Sequence, residues 1–145
     1  MISEELEDIR LQKKEIDYQK LNDTLIELDQ GILASSILSL TDGNIIVRSI
    51  RRGYERKLAL DKKSEEMWGV WAVTLVGTAR QADKVLTEME YIVIGRKDFK
   101  ALLMPFDDRG IIVRLTLKRE ADSFQIKGSV VKHARAKFLN VPRSA

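Results

Sequence analysis

The segment 64–86 is predicted to form a helix that is apolar on more than one side. One continuous stripe, at alternating steps of three and four residues, contains Trp68, Trp71, Leu75, Thr78, Ala82 and Val85. A second apolar face contains Met67, Val70, Val73 and Val76. Because a helix that covers one sheet needs only one apolar stripe, the second face predicts burial against a further partner, most simply a second copy of the chain. Ser64 is the predicted N-cap, with Glu65 and Glu66 in the first turn.

Strand candidates lie on both sides of this helix. Before it, β-rich runs at 32–40 and 45–50 flank Thr41, Asp42, Gly43 and Asn44, and the Asp-Gly step tolerates the positive φ angles of a tight hairpin turn. After it, strands are predicted at 88–95, 99–106 and 110–117. The connections between these strands are so short that neighbouring strands must be antiparallel.

A further helix is predicted at each end of the chain. Residues 3–30 have apolar positions at helical spacing, and their better stripe consists of Leu11, Tyr18, Leu21, Leu25 and Leu28. Gly31 stands where a left-handed C-terminal cap belongs. The last helix is predicted over 122–139, and its packed face consists of Phe124, Val131, Ala134 and Phe138.

The predicted element order is α-ββ-α-βββ-α. Two separate groups of antiparallel strands with helices on the faces of the sheet indicate a layered α+β domain. At 145 residues the chain is expected to form a single domain. Its core is predicted at 18–139, with a charged helical extension at 1–17 and a tail at 140–145.

Composition excludes several classes of function. The chain has no cysteine, which excludes a disulfide framework, a thiol nucleophile and a cysteine metal site, and fits a reducing compartment. No apolar run has the length of a signal peptide or a membrane span, so a cytoplasmic location is expected. The net charge of +3 conceals an asymmetry, with −5 over residues 1–30 and +8 over residues 31–145. This asymmetry favours attraction between the two parts or to a charged partner.

No residue pattern indicates catalysis, and neither a cofactor nor a metal is expected. His133 is the only histidine, predicted on the solvent side of the last helix, whereas a zinc site usually needs several His or Cys ligands. The nearest approach to paired carboxylates is Asp107 with Asp108 in a turn, and Glu88 with Glu90 in a strand. The eight glycines are dispersed, so the sequence has no phosphate-binding loop.

Basic residues form three clusters along the sequence. They are Arg48, Arg51, Arg52, Arg56 and Lys57; Arg96, Lys97 and Lys100; and Lys127, Lys132, Arg135 and Lys137. Exposed aromatic residues are not interleaved with them, so nucleic acid or an anionic membrane is a weaker alternative than a solvated surface or an acidic protein partner. The predicted partner-binding residues are Arg48, Arg51, Arg52 and Arg56.

The element order, the turn at 41–44 after a helix, and an apolar middle helix leading into three strands resemble the Roadblock family, which is related to dynein light chains. The likeness covers roughly residues 18–139. It includes the small and apolar positions Ala72, Leu75, Gly77 and Ala79, and the strands around 91–94 and 102–105. The resemblance implies a profilin-like fold with a five-stranded antiparallel sheet. It also implies a homodimer or heterodimer in which the middle helices pair and the third strands join the two sheets.

Members of that family are noncatalytic scaffolds and regulators, commonly of small Ras-like GTPases or motor complexes. The resemblance therefore implies a homodimeric scaffold or regulator whose protein partner is a small GTPase. The residues predicted for self-association are Met67, Trp68, Val70, Trp71, Thr74, Leu75 and Thr78. The alternative is a small-molecule sensor or ligand-binding domain of related architecture in which Trp68 and Trp71 line a cavity, and a monomer with a ligand-sized cavity would favour it. An enzyme is a weaker third hypothesis.

Overall fold

A computed structural model describes residues 16–139. The helices are α1 (Tyr18–Glu27), α2 (Lys62–Arg80), the single turn α3 (Asp83–Leu86) and α4 (Ser123–Ala134), which continues into a π-helical turn at Arg135–Leu139. The strands are β1 (Ile32–Ser39), β2 (Ile45–Ile50), β3 (Ile92–Gly95), β4 (Phe99–Phe106) and β5 (Ile111–Lys118). The predicted α+β class and element order are confirmed. The part of the long N-terminal helix predicted before residue 16 and the tail at 140–145 lie outside the described residues.

The five strands form one antiparallel sheet in the order β2-β1-β5-β4-β3. This is the five-stranded antiparallel sheet that the Roadblock resemblance implies. β5 is the central strand, and β1 and β5 are buried along almost their whole length because helices cover both faces of the sheet. Within residues 16–139, β3 is an edge strand that pairs only with β4.

The two faces of the sheet are covered differently. On one face, α1 and α4 bury a large apolar cluster that includes Leu21, Leu25 and Val130. On the other face, α2 contributes Ala72 and Val76 to a small buried cluster, and the partly buried Val73 packs against it. The connection between β2 and α2 covers the rest of that face through Leu58. The middle helix is therefore held on the sheet by much less apolar surface than the other two helices.

The boundaries of α2 differ from those predicted. Asp61, not Ser64, is the N-cap, because the Asp61 side chain accepts a 2.7 Å hydrogen bond from the backbone N–H of Ser64. This bond holds the pKa of the Asp61 carboxyl below its usual value. The helix ends at Arg80 rather than at Leu86, and the chain then forms the separate turn α3.

Two glycines have different roles from each other. Gly43 has a φ of +77°, in agreement with the predicted hairpin turn. Gly31 does not adopt the predicted left-handed cap, because α1 already ends at Glu27. Gly31 instead allows a close approach of two chain segments, since a Cβ at this position would lie 2.8 Å from the Cβ of Ala121.

One further boundary prediction is wrong, and the packed face predicted for the last helix is correct only in part. The strand expected at 88–95 begins only at Ile92, so residues 88–91 form a connection beside the sheet. In the predicted packed face of the last helix, Ala134 is buried and Val131 and Phe138 pack against the core, but Phe124 is exposed. The face also includes Ile126 and Val130, which are buried. Positions four residues apart lie on one side of a helix, and that side faces the sheet here.

Candidate partner interface

The side of α2 that faces away from the sheet carries large apolar side chains. Val70 and Trp71 are 54% and 55% exposed, and Met67 and Leu75 are also exposed. We define the α2 stripe as the seven residues predicted for self-association, which are Met67, Trp68, Val70, Trp71, Thr74, Leu75 and Thr78. All of them are exposed except Trp68, which is half-buried. Soluble monomers rarely leave a contiguous apolar surface of this kind in contact with water.

The large side chains of α2 face outward because its inner side is built for close approach. The buried residues of the helix are Gly69, Ala72 and Val76. A Cβ on Gly69 would lie 2.1 Å from the carbonyl oxygen of Gly43, and a Cβ on Gly43 would lie 2.3 Å from that of Gly69. The hairpin turn between β1 and β2 therefore touches the backbone of α2 directly. No larger residue fits at either position without a shift of the turn or the helix.

A groove runs beside the α2 stripe. It has a volume of about 590 Å³ and lies between α2 and the edge strand β3, with Ile94 and Arg96 on the strand side and Leu60 near one end. The rings of Trp68 and Trp71 meet edge to face at 6.3 Å and line the groove together with Met67. Both walls are thus available to a second molecule. One wall offers apolar side chains, and the other offers the edge of β3, which has no partner strand within the described part of the chain.

A charged network lies beneath Trp68, between α2 and the sheet. Arg114 on β5 is only 3% exposed, and its guanidinium carbon lies 5.0 Å from the centre of the Trp68 ring. Burial, with a smaller contribution from the charge of Arg48, lowers the pKa of Arg114 to about 9, although Glu65 acts in the opposite direction. Arg114 therefore remains a buried cation at neutral pH.

Two of the four predicted partner-binding arginines are engaged within the chain. Arg48 donates to Glu65 at 2.9 Å and to the carbonyl of Leu58 at 2.6 Å. Arg51 donates to the carbonyls of Ile32, Asp29 and Ile26, which lie at and after the C-terminal end of α1.

Arg51 therefore does not fit the alternative of a solvated surface charge, since its guanidinium donates to backbone carbonyls at and after the end of α1. Arg52 and Arg56, by contrast, are exposed. They remain available for contact with a partner.

The candidate acid–base residues are held in ion pairs or lie apart. Asp107 pairs with Arg80, and Asp108 accepts two hydrogen bonds from Arg135. These bonds from Arg135 hold the pKa of the Asp108 carboxyl below its ordinary value. Glu90 pairs with Lys127, and Glu88 is exposed. Within residues 16–139, no group of three or more His, Asp or Glu side chains could hold a metal ion.

His133 does not lie on the solvent side of the last helix as predicted. The ring is half-buried, and its Nε2 lies 3.2 Å from the hydroxyl of Thr24 on α1. Phe138 lies beside the same ring, with 5.8 Å between the ring centres. The turn of α4 that carries His133 therefore faces α1, and the side chain contributes to the contact between the two helices.

Sequence reasoning missed Arg114 and Gly69, the residues that shape the inner side of α2. Arg114 interrupts the otherwise uncharged run Ile-Ile-Val-Arg-Leu-Thr-Leu, which was a visible signal for a buried charge. Gly69 had no comparable signal, because its partner Gly43 is distant in the sequence.

In the described part of the chain, no helix combines the length and apolar character that a membrane crossing requires.

Comparison with solved structures identifies the fold. The Roadblock/LC7 domain from Streptomyces avermitilis matches with a TM-score of 0.60 at 18% identity, over 80% of this chain and 92% of that domain. The gliding protein MglB from Thermus thermophilus matches with a TM-score of 0.61 at 7% identity, over 81% of this chain and 82% of that protein. MglC from Myxococcus xanthus matches with a TM-score of 0.52 at 14% identity, over 83% of this chain and 94% of that protein.

These matches show that the chain has the Roadblock/LC7 fold, and they confirm at the level of the fold the resemblance inferred from the sequence. No protein-family model matches the sequence, and no curated protein matches it either.

Proposed function

We propose that this protein is a noncatalytic, homodimeric scaffold or regulator that self-associates through the α2 stripe and binds a protein partner. The observation that supports the proposal most directly is the outward position of Val70, Trp71 and Leu75 on a helix whose small residues face the sheet. A second copy would cover this apolar surface with an identical one, as in a twofold-symmetric interface. MglB, which shares the fold, has been observed in a tetrameric arrangement, so the fold is compatible with self-association.

Self-association is tested by placing a charge at the centre of the stripe. Val70→Asp is expected to raise the dimer dissociation constant about a hundredfold, because it buries an unpaired carboxylate among apolar side chains. Val85→Asp is the matched control, since Val85 is 83% exposed and lies on the separate turn α3, outside the α2 stripe. Sedimentation velocity over a concentration series measures both variants and the unchanged protein.

Three outcomes are distinguishable. A dimeric wild type that is split by Val70→Asp but not by Val85→Asp supports the interface. A wild type that sediments as a monomer at tens of micromolar overturns self-association. A Val70→Asp variant that dimerises as tightly as the control would show that the dimer interface lies outside the α2 stripe.

We further propose that the protein partner is a small Ras-like GTPase in the cytoplasm. The proposal is supported by the resemblance to the Roadblock family, whose members commonly regulate such GTPases. It is also supported by the exposed basic side chains of Arg52 and Arg56. Opposite charges on two surfaces raise the rate of association, and salt screens this effect. The absence of cysteine is compatible with a reducing compartment.

The charge contribution is tested with the double variant Arg52→Glu and Arg56→Glu. Capture of small GTPases from an extract of the native cells is expected to fall severalfold at low salt, while the melting temperature and the dimer stay unchanged. The control carries Lys132→Glu and Lys137→Glu, two exposed charges on the opposite side of the sheet. Equal capture by both double variants would show that Arg52 and Arg56 are ordinary solvated side chains with no role in partner binding.

The small-molecule sensor remains a second proposal because of the groove. Its volume of about 590 Å³ lies within the range of ligand sites, and Trp68 and Trp71 line it as that hypothesis requires. The two functions differ in what happens to the groove when the protein associates. Quenching of tryptophan fluorescence by an apolar probe should occur in the Val70→Asp monomer but not in the dimer if a second copy fills the groove.

A further inference from the structure

The rotation of α2 about its axis is not explained by burial of apolar surface. The helix turns Gly69, Ala72 and Val76 toward the sheet and leaves Trp71 and Leu75 exposed. Burying the larger side chains would remove more apolar area from water. The close contact of Gly69 with Gly43 favours the observed orientation, and a second interaction beneath the helix acts in the same direction.

The charged network beneath α2 opposes any rotation of the helix. Arg48, Ser36 and Arg114 occupy one row across β2, β1 and β5, because Ser36 pairs with Arg48 on one side and with Arg114 on the other. Glu65 and Trp68 lie three residues apart on α2 and therefore project from the same side of the helix. Each of these two side chains meets one of the arginines, Glu65 at Arg48 and Trp68 at Arg114.

Arg114 depends on this arrangement. Its side chain is almost completely buried, and its Nη1 has no hydrogen-bond partner within residues 16–139. The face of the Trp68 ring is thus a principal favourable contact for the buried cation. Rotating α2 by one residue, about 100°, would remove both Trp68 from Arg114 and Glu65 from Arg48. Two partly desolvated guanidinium groups would then remain without these contacts, which is strongly unfavourable.

We propose that Arg114 and Arg48 are positioning residues that, together with the Gly69–Gly43 contact, set the rotation of α2 and so determine which apolar side chains are presented to a second copy of the chain. The consequence for self-association rests on the function proposed above, whereas the effect on the helix orientation does not. The network gives specificity to an orientation that hydrophobic burial alone would leave open. Buried polar groups have this role in coiled coils, where they fix register.

Arg114→Met is the direct test, because methionine fills similar space without the charge. The variant is expected to melt at the same or a higher temperature, since it no longer buries a cation. Its dimer dissociation constant should nevertheless rise about tenfold, because α2 is then held in its rotation only by the Gly69–Gly43 contact and its setting on the sheet becomes less precise. The matched control is Arg52→Met, an exposed arginine outside the network, which should change neither quantity.

A second measurement reports on the orientation of α2 in the monomer, independently of dimer formation. In the Val70→Asp background, Arg114→Met should change the near-ultraviolet circular dichroism of the Trp68–Trp71 pair, whose edge-to-face geometry depends on the setting of Trp68. An unchanged spectrum together with an unchanged dissociation constant overturns the inference. If the wild type proves monomeric, the proposed self-association fails, and the spectrum of the same pair of variants still decides whether Arg114 positions the helix.

Glu65→Gln provides a variant that leaves the core intact, because Glu65 lies at the edge of the network and pairs with Arg48. We expect a threefold to tenfold rise in the dissociation constant and a spectral change in the same direction as for Arg114→Met. This variant decides the matter if Arg114→Met does not fold. A Glu65→Gln protein identical to the wild type in both measurements would then overturn the inference.

Discussion

Replacing Gly69 with alanine is expected to destabilise the protein by about 3 kcal/mol and lower its melting temperature by about 10 °C. The added Cβ would lie 2.1 Å from the carbonyl oxygen of Gly43, and the atom it meets is backbone, which cannot rotate away. Either the β1–β2 turn or α2 must move. Thermal unfolding followed by circular dichroism measures the loss.

Gly77→Ala is the matched control in the same helix. A Cβ on Gly77 would meet no atom within 4 Å, so this variant should gain the helix propensity of alanine and become about 0.5–1 kcal/mol more stable. The two substitutions are chemically identical, but they are expected to change the free energy of unfolding in opposite directions. A Gly69→Ala protein as stable as Gly77→Ala would show that the turn and α2 are not in close contact. Both measurements belong in the Val70→Asp background, where self-association does not contribute.

Replacing Arg51 with alanine is expected to destabilise the protein by about 2–3 kcal/mol. The guanidinium donates to three carbonyls, those of Ile26, Asp29 and Ile32, at and beyond the end of α1. Its charge also lies near the negative end of that helix. Chemical denaturation should show the loss as a lower midpoint with an unchanged slope.

Arg52→Ala is the control for this prediction, because Arg52 is exposed and should change stability by about 0.5 kcal/mol or less. Arg51→Lys should recover little of the loss, since a single ammonium group cannot span three carbonyls as a planar guanidinium does. An Arg51→Ala protein as stable as Arg52→Ala would contradict the structural role. The same contacts make Arg51 unsuitable for testing partner binding, because weaker capture would then reflect a damaged domain.

The site was only partly predictable from sequence. The excess apolar face of the middle helix correctly indicated side chains left over after the sheet is covered, and Val70, Trp71 and Leu75 are indeed exposed. The basic segment was a weaker guide, because a sequence of arginines does not reveal which of them meet backbone carbonyls. Arg51 and Arg52 are neighbours in sequence, yet one is engaged after the end of α1 and the other is exposed.

The sequence by itself determined the order and the type of the elements. Strand β4 was predicted with the observed bounds, and the turn at 41–44 was predicted with a positive φ at Gly43, because these features depend on residues close together in the chain. The boundaries that failed, at Ser64, Gly31 and residue 88, are places where several local signals compete. A cap three residues earlier and a strand start four residues later require only small changes in local free energy.

The tertiary structure alone decided how α2 lies on the sheet. Several sides of this helix are apolar, so hydrophobic periodicity gives no unique orientation. The orientation is fixed where Gly69 meets Gly43 and where Trp68 and Glu65 meet Arg114 and Arg48. Each of these contacts joins residues that are remote in the chain and become neighbours only when the sheet has formed. Local sequence patterns carry no information about such long-range contacts. The contacts are decided by close packing and by the cost of leaving a buried charge without a partner.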